Sequence, residues 1–437
     1  MTEGIEPYGV QREACLLGEF DADGALRANP MPRAWYLWRI RGRLDADRFA
    51  AALRTAAEAT EIWRCRLGRD GLAADPDRAP LRLVRAAAGP ARVVETLAEV
   101  LYAPLDLRDD PPSSACLLAE DGGDHLLLVR ADHAFCDGMT LVDFVRRAAA
   151  GYRQPAALPE RPPGFLAHAE AAERDPDRPA ARRYWAAAMA GPAPRPEFPG
   201  GRDKPWAECA ASEAVPVVFD HGLLAAALDA TGLSPSALLL AATCFVTDLW
   251  APAPVPVLYA RGGRNRPKWM AVPGPLHEAV VSVPAAGGAA TVAGWARAHA
   301  AANTASPPLR GLWLSDFGGM AALRARRFVV LNLQPPLRAI DLGGGAVIGP
   351  AEPELSAALG PAGPPSAPSR NGLHLLCRWH AGQVTATVFH DPEVLPDHRP
   401  VVDAIEDFAA LLVEWPELPR DGAADLLRGR WTRVPAG

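Results

Sequence analysis

The sequence predicts an α+β protein of two lobes, each a mixed sheet with helices. Three observations predict it. The chain has 437 residues, beyond the size at which one hydrophobic core keeps growing, so two domains of roughly 200 residues are expected. Strand-like and helix-like segments alternate through both halves instead of segregating. From Arg153 to Arg182 the sequence turns Pro-rich and charged, the composition of a linker. The boundary is therefore placed near residue 180, dividing the chain into 1–180 and 181–437.

Trp35 to Arg41 alternates bulky apolar with polar side chains, the pattern of a strand with one buried face. GRLDADRFAAALRTAAEAT follows it directly. Asp45 or Asp47 can cap that helix, and Phe49, Leu53 and Ala56 recur at helical spacing. EIWRCRL and PLRLVRAA read as two short strands, and ARVVETLAEVLYAPLDL as a helix stopping before the turn-forming DDPPSS. SACLLAE and HLLLVRADHAF are strands joined by DGGD, a hairpin signal. Beyond Cys136-Asp137-Gly138 comes MTLVDFVRRAAAGY, whose Leu141, Phe144, Val145 and Ala148 form an apolar helical face. The segment ADHAFCDG thus sits at a strand-to-helix junction. One short helix, Phe165 to Glu173, is expected within the linker.

The second half repeats the mixture. A helix is expected from Ser234 to about Trp250, then strands at PVPVLYARG, EAVVSVP, RRFVVLNLQ, LHLLCRWH and QVTATVFH, and a final helix from Pro400 to Glu414. Between Ala346 and Ser369 a Pro/Gly/Ala loop is expected. No repeat of short fixed period is visible.

Apolar residues make up 49% and charged residues 22% of the chain, the balance of an ordinary soluble globular protein. The formal charge of −6 and the scattered Lys and Arg residues offer no basic stripe for nucleic acid. No apolar run approaches the length of a membrane span; the nearest, around Ala237 to Val246, reads as a buried helix. The N-terminus lacks the basic and apolar regions of a secretory signal, so a cytoplasmic location is expected. The seven cysteines are widely spaced and form no CxxC pair, which predicts buried free thiols, with neither metal site nor disulfide framework.

Most of the ten histidines have ordinary contexts. His125 opens a strand, His221 and His398 fall in turn-like stretches, and His374, His380 and His390 fall on C-terminal strands. His133 differs, because the chain turns sharply just where its imidazole is presented, at a strand end of the kind that displays functional groups. Imidazole is also the side chain suited to proton transfer near neutral pH. Asp137 is either a second proton-transfer group or, more commonly for an Asp against a sharp turn, an acceptor for backbone amides or an Arg that holds the loop. Gly138 supplies backbone freedom or a close approach that a side chain would block. Cys136 is a candidate nucleophile by position only; nothing near it in sequence would lower a thiol pKa, so a buried thiol is the expectation.

DHAFCDG resembles the HHxxxDG motif of the chloramphenicol acetyltransferase superfamily, and its surroundings resemble the condensation domains of nonribosomal peptide synthetases. RGRLDADRFAAALRTAAEATEIWRCRL is similar to that family's N-terminal strand, helix and "LRTRF-like" strand, and YAPLDL to its "PFDL" segment. ARRYWAAAMAGPAPRPEFPG resembles the stretch after the inter-lobe linker, and ARGGRNRPKWMAVPGPLHEAVVSVP the "GRxRPE...G.fvN.lplr" region. The resemblance runs from about Gln11 to Leu412. It implies two chloramphenicol-acetyltransferase-like lobes arranged as a V around a central tunnel, with donor and acceptor entering from opposite faces.

The resemblance also assigns roles. His133 matches the second motif His, which takes a proton from the attacking amine or orients it and steadies the tetrahedral intermediate. Asp137 matches the motif Asp, whose family role is an ion pair with an Arg, and Arg264 in GGRNRP is the position onto which that partner carries. Three departures stand out: Asp132 replaces the first motif His, HEAVVSVP lacks the family's Asn-Thr pair, and YGVQREACL matches the opening helix weakly. Together they imply unusual substrates. SDFGGM resembles the DFGWG of plant-type acyltransferases but precedes the wrong strand and lacks the Trp, so it reads as chance.

The implied activity is that of a free-standing condensation enzyme. It would join a carrier-bound acyl or aminoacyl thioester to an amine or alcohol in natural-product biosynthesis. No bound cofactor is expected; the phosphopantetheine-linked substrate would come from a peptidyl or acyl carrier protein in trans, since the sequence shows neither an adenylation domain nor a carrier segment. Two alternatives stay open, a coenzyme A-dependent acyltransferase with a soluble acceptor and a non-catalytic recruitment module. The presence of both His133 and Asp137 weighs against the second.

Overall fold

The computed structural model describes residues 5–29, 33–69, 71–155, 164–190, 193–204, 208–209, 212–264, 266–285, 290–317, 329–334, 337–359, 371–380 and 382–431. The first half runs α1 (Val10–Leu17), β1 (Glu19–Phe20), β2 (Leu26–Ala28), β3 (Ala34–Arg41), α2 (Ala46–Glu58), β4 (Cys65–Gly68), β5 (Gly71–Ala74), β6 (Arg82–Ala88), α3 (Val93–Tyr102), β7 (Ser113–Glu120), β8 (His125–Ala131), α4 (Gly138–Arg153), α5 (Phe165–Glu173) and α6 (Arg178–Ala188). The second runs β9 (Glu213–Phe219), α7 (His221–Thr231), α8 (Pro235–Asp248), β10 (Val257–Gly262), β11 (His277–Val281), α9 (Val292–Ala305), β12 (Val329–Gln334), β13 (Ile340–Gly343), β14 (Ala346–Pro350), α10 (Pro353–Ala358), β15 (Leu373–His380), β16 (Gln383–His390), α11 (Arg399–Glu414) and α12 (Arg420–Trp431).

Two six-stranded mixed sheets result, in the orders β13-β14-β3-β8-β7-β6 and β11-β10-β12-β15-β16-β9. The DGGD hairpin forms as read, with β7 and β8 antiparallel. Asp45, not Asp47, caps α2 by accepting from the Arg48 amide at 3.0 Å. Strand β3 departs from the single buried face its alternation implies. Tyr36, Trp38 and Ile40 pack into the core beneath α2 and α4, with Phe49, Leu53 and Phe144, while Trp35 and Leu37 pack on the other face against Leu97 and Leu101 of α3. Helices on both sides of the sheet require both faces to be apolar there. Fully buried Phe144 meets Trp63 edge-on at 4.9 Å, and truncating such a ring costs about 3–5 kcal/mol.

The loop expected between Ala346 and Ser369 is instead, at its start, a strand and a short helix; residues 360–370 lie outside those described. Gly343, Gly344 and Gly345 all take positive φ, a reversal that only glycine makes without strain. The chain then returns as β14, pairing antiparallel with β3 so that Ile348 faces Ile40. Two strands of the second half therefore complete the first sheet. The cut at 180 separates the chain but not the sheets.

A second core gathers Phe245, Phe408, Leu375, Val388 and Trp295 around α8, α9 and α11. Every residue of α8 from Leu238 to Thr247 is buried, which explains the longest apolar run in the sequence. No single helix among the described residues is long and apolar enough to cross a membrane. In the second half the reading also missed α7, α9, α12 and β9, and in the first α6 and the short strands β1, β2 and β5.

Candidate active site

Residues 132–137 lead from β8 into α4 and are held by hydrogen bonds from several sides. The Asp132 amide donates to the Pro112 carbonyl at 2.8 Å and the Phe135 amide to the Asp132 carbonyl at 3.0 Å. The Asp132 carboxylate accepts from the Ala134 amide at 2.9 Å and from Asn29 Nδ2 at 2.8 Å. From α1, buried Gln11 donates through Nε2 to the Ala134 carbonyl at 2.9 Å. His133, half-buried at the centre of this loop, places Nδ1 at 2.9 Å from the Cys136 carbonyl. A carbonyl only accepts, so Nδ1 carries a hydrogen, and in the neutral imidazole Nε2 is the atom with the lone pair.

Asp137 is the N-cap of α4. Its Oδ1 accepts from the Thr140 amide at 2.8 Å, and its carboxylate takes a bidentate pair from Arg264, Nη1 to Oδ2 at 2.6 Å and Nη2 to Oδ1 at 3.1 Å. Both side chains are buried. Burial pushes the Asp137 pKa up, but the charge and hydrogen bonds of Arg264 outweigh it and hold the carboxyl at about 2. The same guanidinium donates to the Val272 carbonyl, and the Leu276 amide donates to Asp137 Oδ2 at 3.1 Å. One buried ion pair therefore joins the first lobe's His133 loop to the segment that leads into β11.

Gly274 lets that segment come close. Its amide donates to Thr140 Oγ1 at 2.9 Å, its φ is +148°, and a Cβ there would lie 2.2 Å from the Phe165 ring. Gly138 does not play the part expected from backbone freedom, because its φ is not positive and it is simply the first residue of α4.

The remaining candidates sort clearly. Cys136 is fully buried, and burial, then the nearby carboxylates of Asp137 and Asp132, push its thiol pKa well up, the setting of a buried thiol and not of an activated nucleophile. Asp132 is buried beside His133 and braces the loop; burial raises its pKa against the hydrogen bonds from Asn29 and Ala134. Of SDFGGM, Leu314–Phe317 forms a 3₁₀ turn, and residues 318–320 lie outside those described. Among the described residues, no cluster of three His, Cys, Asp or Glu side chains has the arrangement of a metal site.

The sequence reading did not single out His277. Its ring lies 4.6 Å from that of His133, centroid to centroid, tilted by 41°. Trp313 meets His277 edge-on at 5.5 Å and donates through Nε1 to Glu13 at 2.8 Å. The available signal was HEAVVSVP itself, the segment that departs from the family pattern and opens with this residue. Nearby, His168 accepts from or donates to the Tyr8 hydroxyl at 3.1 Å and packs edge-on against Trp269. Burial and the charges of Arg264, Arg266 and Lys268 lower its pKa to about 4, so it is neutral and structural.

A cavity of about 330 Å³ lies in the second lobe, lined by Asp248, Val281, Ser282, Trp295, His299 and Arg420 among others. It is not a tunnel at His133. Val281 and His277 stand at opposite ends of β11, roughly 13 Å apart at the usual strand rise.

The fold has solved counterparts. The starter condensation domain of rhizomide synthetase RzmA, solved as a mutant in complex with C8-CoA and Leu-SNAC, superposes with a TM-score of 0.73 at 15% identity, over 96% of this chain and 97% of that one. The chain has the fold of a condensation domain. The X-domain from teicoplanin biosynthesis, solved in complex with OxyB, shares the condensation fold at a TM-score of 0.70 and 20% identity, with 96% of each chain covered. SgcC5 from Streptomyces globisporus shares it at 0.68 and 17% identity, over 95% of this chain and 100% of that one. No family model matches the sequence, and neither does any curated protein.

Proposed function

We propose that this chain is a condensation-type acyltransferase that moves an acyl or aminoacyl group from a phosphopantetheine thioester on a carrier protein to an amine or alcohol. The observation that carries this reading is the state of His133. Its Nδ1–H is committed to the Cys136 carbonyl, which leaves Nε2 as the basic atom at the seam where the first lobe's loop meets the second lobe's β11. In the proposed step an acceptor nitrogen attacks the thioester carbonyl carbon while Nε2 takes its proton. The C–N bond forms, the C–S bond breaks, and the proton passes from Nε2 to the departing thiolate.

Asp137 and Arg264 act at a distance, holding the loop instead of touching substrate. The donor and acceptor would reach His133 along a channel between the lobes, with walls dry enough to favour attack by the amine over water. The direct test incubates the purified protein with acyl-loaded carrier proteins and candidate amines, read by intact-protein mass spectrometry. Loss of the acyl mass from the carrier, matched by an amide product, supports the reading.

Two neighbours favour variants of it. RzmA's domain was solved with C8-CoA, which supports a coenzyme A thioester as donor. Equal specificity constants for the same acyl group on a carrier protein and on a short pantetheine analogue would move the assignment that way. The X-domain was solved with OxyB, which supports recruitment of another protein; retained partner binding with no acyl transfer from any donor would favour that role.

A further inference from the structure

A single hydrogen bond does not fix an imidazole. The torsion that turns a histidine ring about its Cβ–Cγ bond is broad, so the tie from Nδ1 to the Cys136 carbonyl leaves the ring plane, and with it the direction of Nε2, loosely set. A second contact on the ring face is needed, and His277 supplies it at 4.6 Å. We propose that His277 is a positioning residue for His133, a flat wall contributed by the second lobe that sets the plane of the first lobe's imidazole.

The surroundings of His277 are those of a fixed platform. Both sequence neighbours are anchored through buried carboxylates: the Leu276 amide donates to that of Asp137 at 3.1 Å, and Glu278's own accepts from Arg261 Nε at 2.8 Å and from the Leu309 amide at 2.7 Å. Behind the ring stands Trp313, edge-on at 5.5 Å and tied by its indole N–H to Glu13 on α1. Gln11, two residues before Glu13 on the same helix, grips the His133 loop at Ala134. Helix α1 thus sets both the loop that carries His133 and the wall that faces it. The inference rests on His133 being the reactive imidazole, and it makes the joining of the lobes part of the site's construction. HEAVVSVP is where the sequence departs from the family pattern, so the wall belongs to this chain's own residues.

The test compares His277→Ala with His277→Phe, the second keeping a flat ring of similar reach. With acyl-carrier donor and amine, His277→Ala is expected to lower kcat by about 10- to 100-fold, the scale of a misplaced catalytic group, with KM for the donor within about threefold of wild type. His277→Phe should recover kcat to within about fivefold. Wild-type kcat in His277→Ala overturns the proposal. So does a folded His277→Phe as slow as His277→Ala, which would assign the effect to the ring nitrogens and not to the ring's flatness. A readout without substrate separates this inference from the proposed activity: ¹⁵N spectra of the histidine side chains should show one sharp Nδ1–H tautomer for His133 in wild type and in His277→Phe, broadened or doubled in His277→Ala. An unchanged His133 signal in His277→Ala overturns the positioning role even if no acyl transfer is ever found.

Discussion

Each lobe contains a strand hairpin that runs through a loop into a 16-residue helix: β7–β8 into α4 in the first, β15–β16 into α11 in the second. Only the first is built to show an imidazole. His133 stands two residues past β8 in a half-buried position, with Nδ1 committed to the Cys136 carbonyl. His390 is the last residue of β16, fully buried, with its pKa lowered by burial. The helix starts differ too. Asp137 caps α4 through the Thr140 amide and pairs with a buried Arg, whereas α11 begins after His398 with no side-chain cap. The same supersecondary unit presents a half-buried imidazole or buries one according to where the histidine falls relative to the strand end and what cation stands behind the loop.

The sharpest way to break this comparison is to remove each histidine in turn. His133→Ala should cut acyl transfer by roughly 10²- to 10⁴-fold, the usual contribution of a positioned base, with an unchanged unfolding midpoint. His390→Asn should leave the rate per folded molecule within about twofold of wild type. Comparable rate losses in the two variants, measured at saturating donor, would erase the distinction between the two junctions.

The carboxylates after the strands sharpen it further. Asp137 meets Arg264 in a fully buried bidentate pair, so Asp137→Ala leaves a guanidinium uncompensated and should destabilise by about 3–5 kcal/mol. Asp391 in the second lobe meets Lys204 Nζ at 2.9 Å, and that lysine also reaches Glu393. Asp391→Ala leaves Lys204 a second partner and should cost less than Asp137→Ala in urea unfolding. The reverse order would mean that the Asp137 pair does not anchor its loop.

The legible part of the fold was the part with local periodicity. Hairpin β7–β8 and helices α2, α4, α5 and α8 follow from alternation, caps and helical spacing within a few residues of one another. Strands β13 and β14 did not, because a four- and a five-residue strand around Gly343-Gly344-Gly345 carry too little pattern, and their pairing with β3 spans some three hundred residues. In the site, His133 was visible from its turn context, and the pairing of Asp137 with Arg264 only through the family resemblance. His277 was invisible as a contact, since nothing in the spacing of residues 133 and 277 shows that their rings meet.

The two lobes also differ in how they hold a buried carboxylate, and acid should expose it. Arg264 grips Asp137 at 2.6 Å and holds it at about 2, so its contribution is complete above the ordinary Asp range and is lost only as pH falls through about 4 toward 2. Arg420 reaches Asp248 at only 3.4 Å, and burial, the larger effect, raises that carboxyl to about 6. Between pH 6 and 4 folded Asp248 therefore binds a proton that the unfolded chain does not, and stability rises as pH falls. His299, in the same cavity wall, works against it: burial lowers its pKa to about 4, so between pH 6.5 and 4 the unfolded chain binds the extra proton and stability drops. Each contribution is on the order of 2–3 kcal/mol across its window, with opposite sign, so the two largely offset each other. Asp248→Asn should steepen the loss of stability between pH 6.5 and 4, and His299→Leu should flatten or reverse it, in urea unfolding at half-unit pH steps. Parallel slopes for the two variants would show that these groups do not titrate as their burial requires.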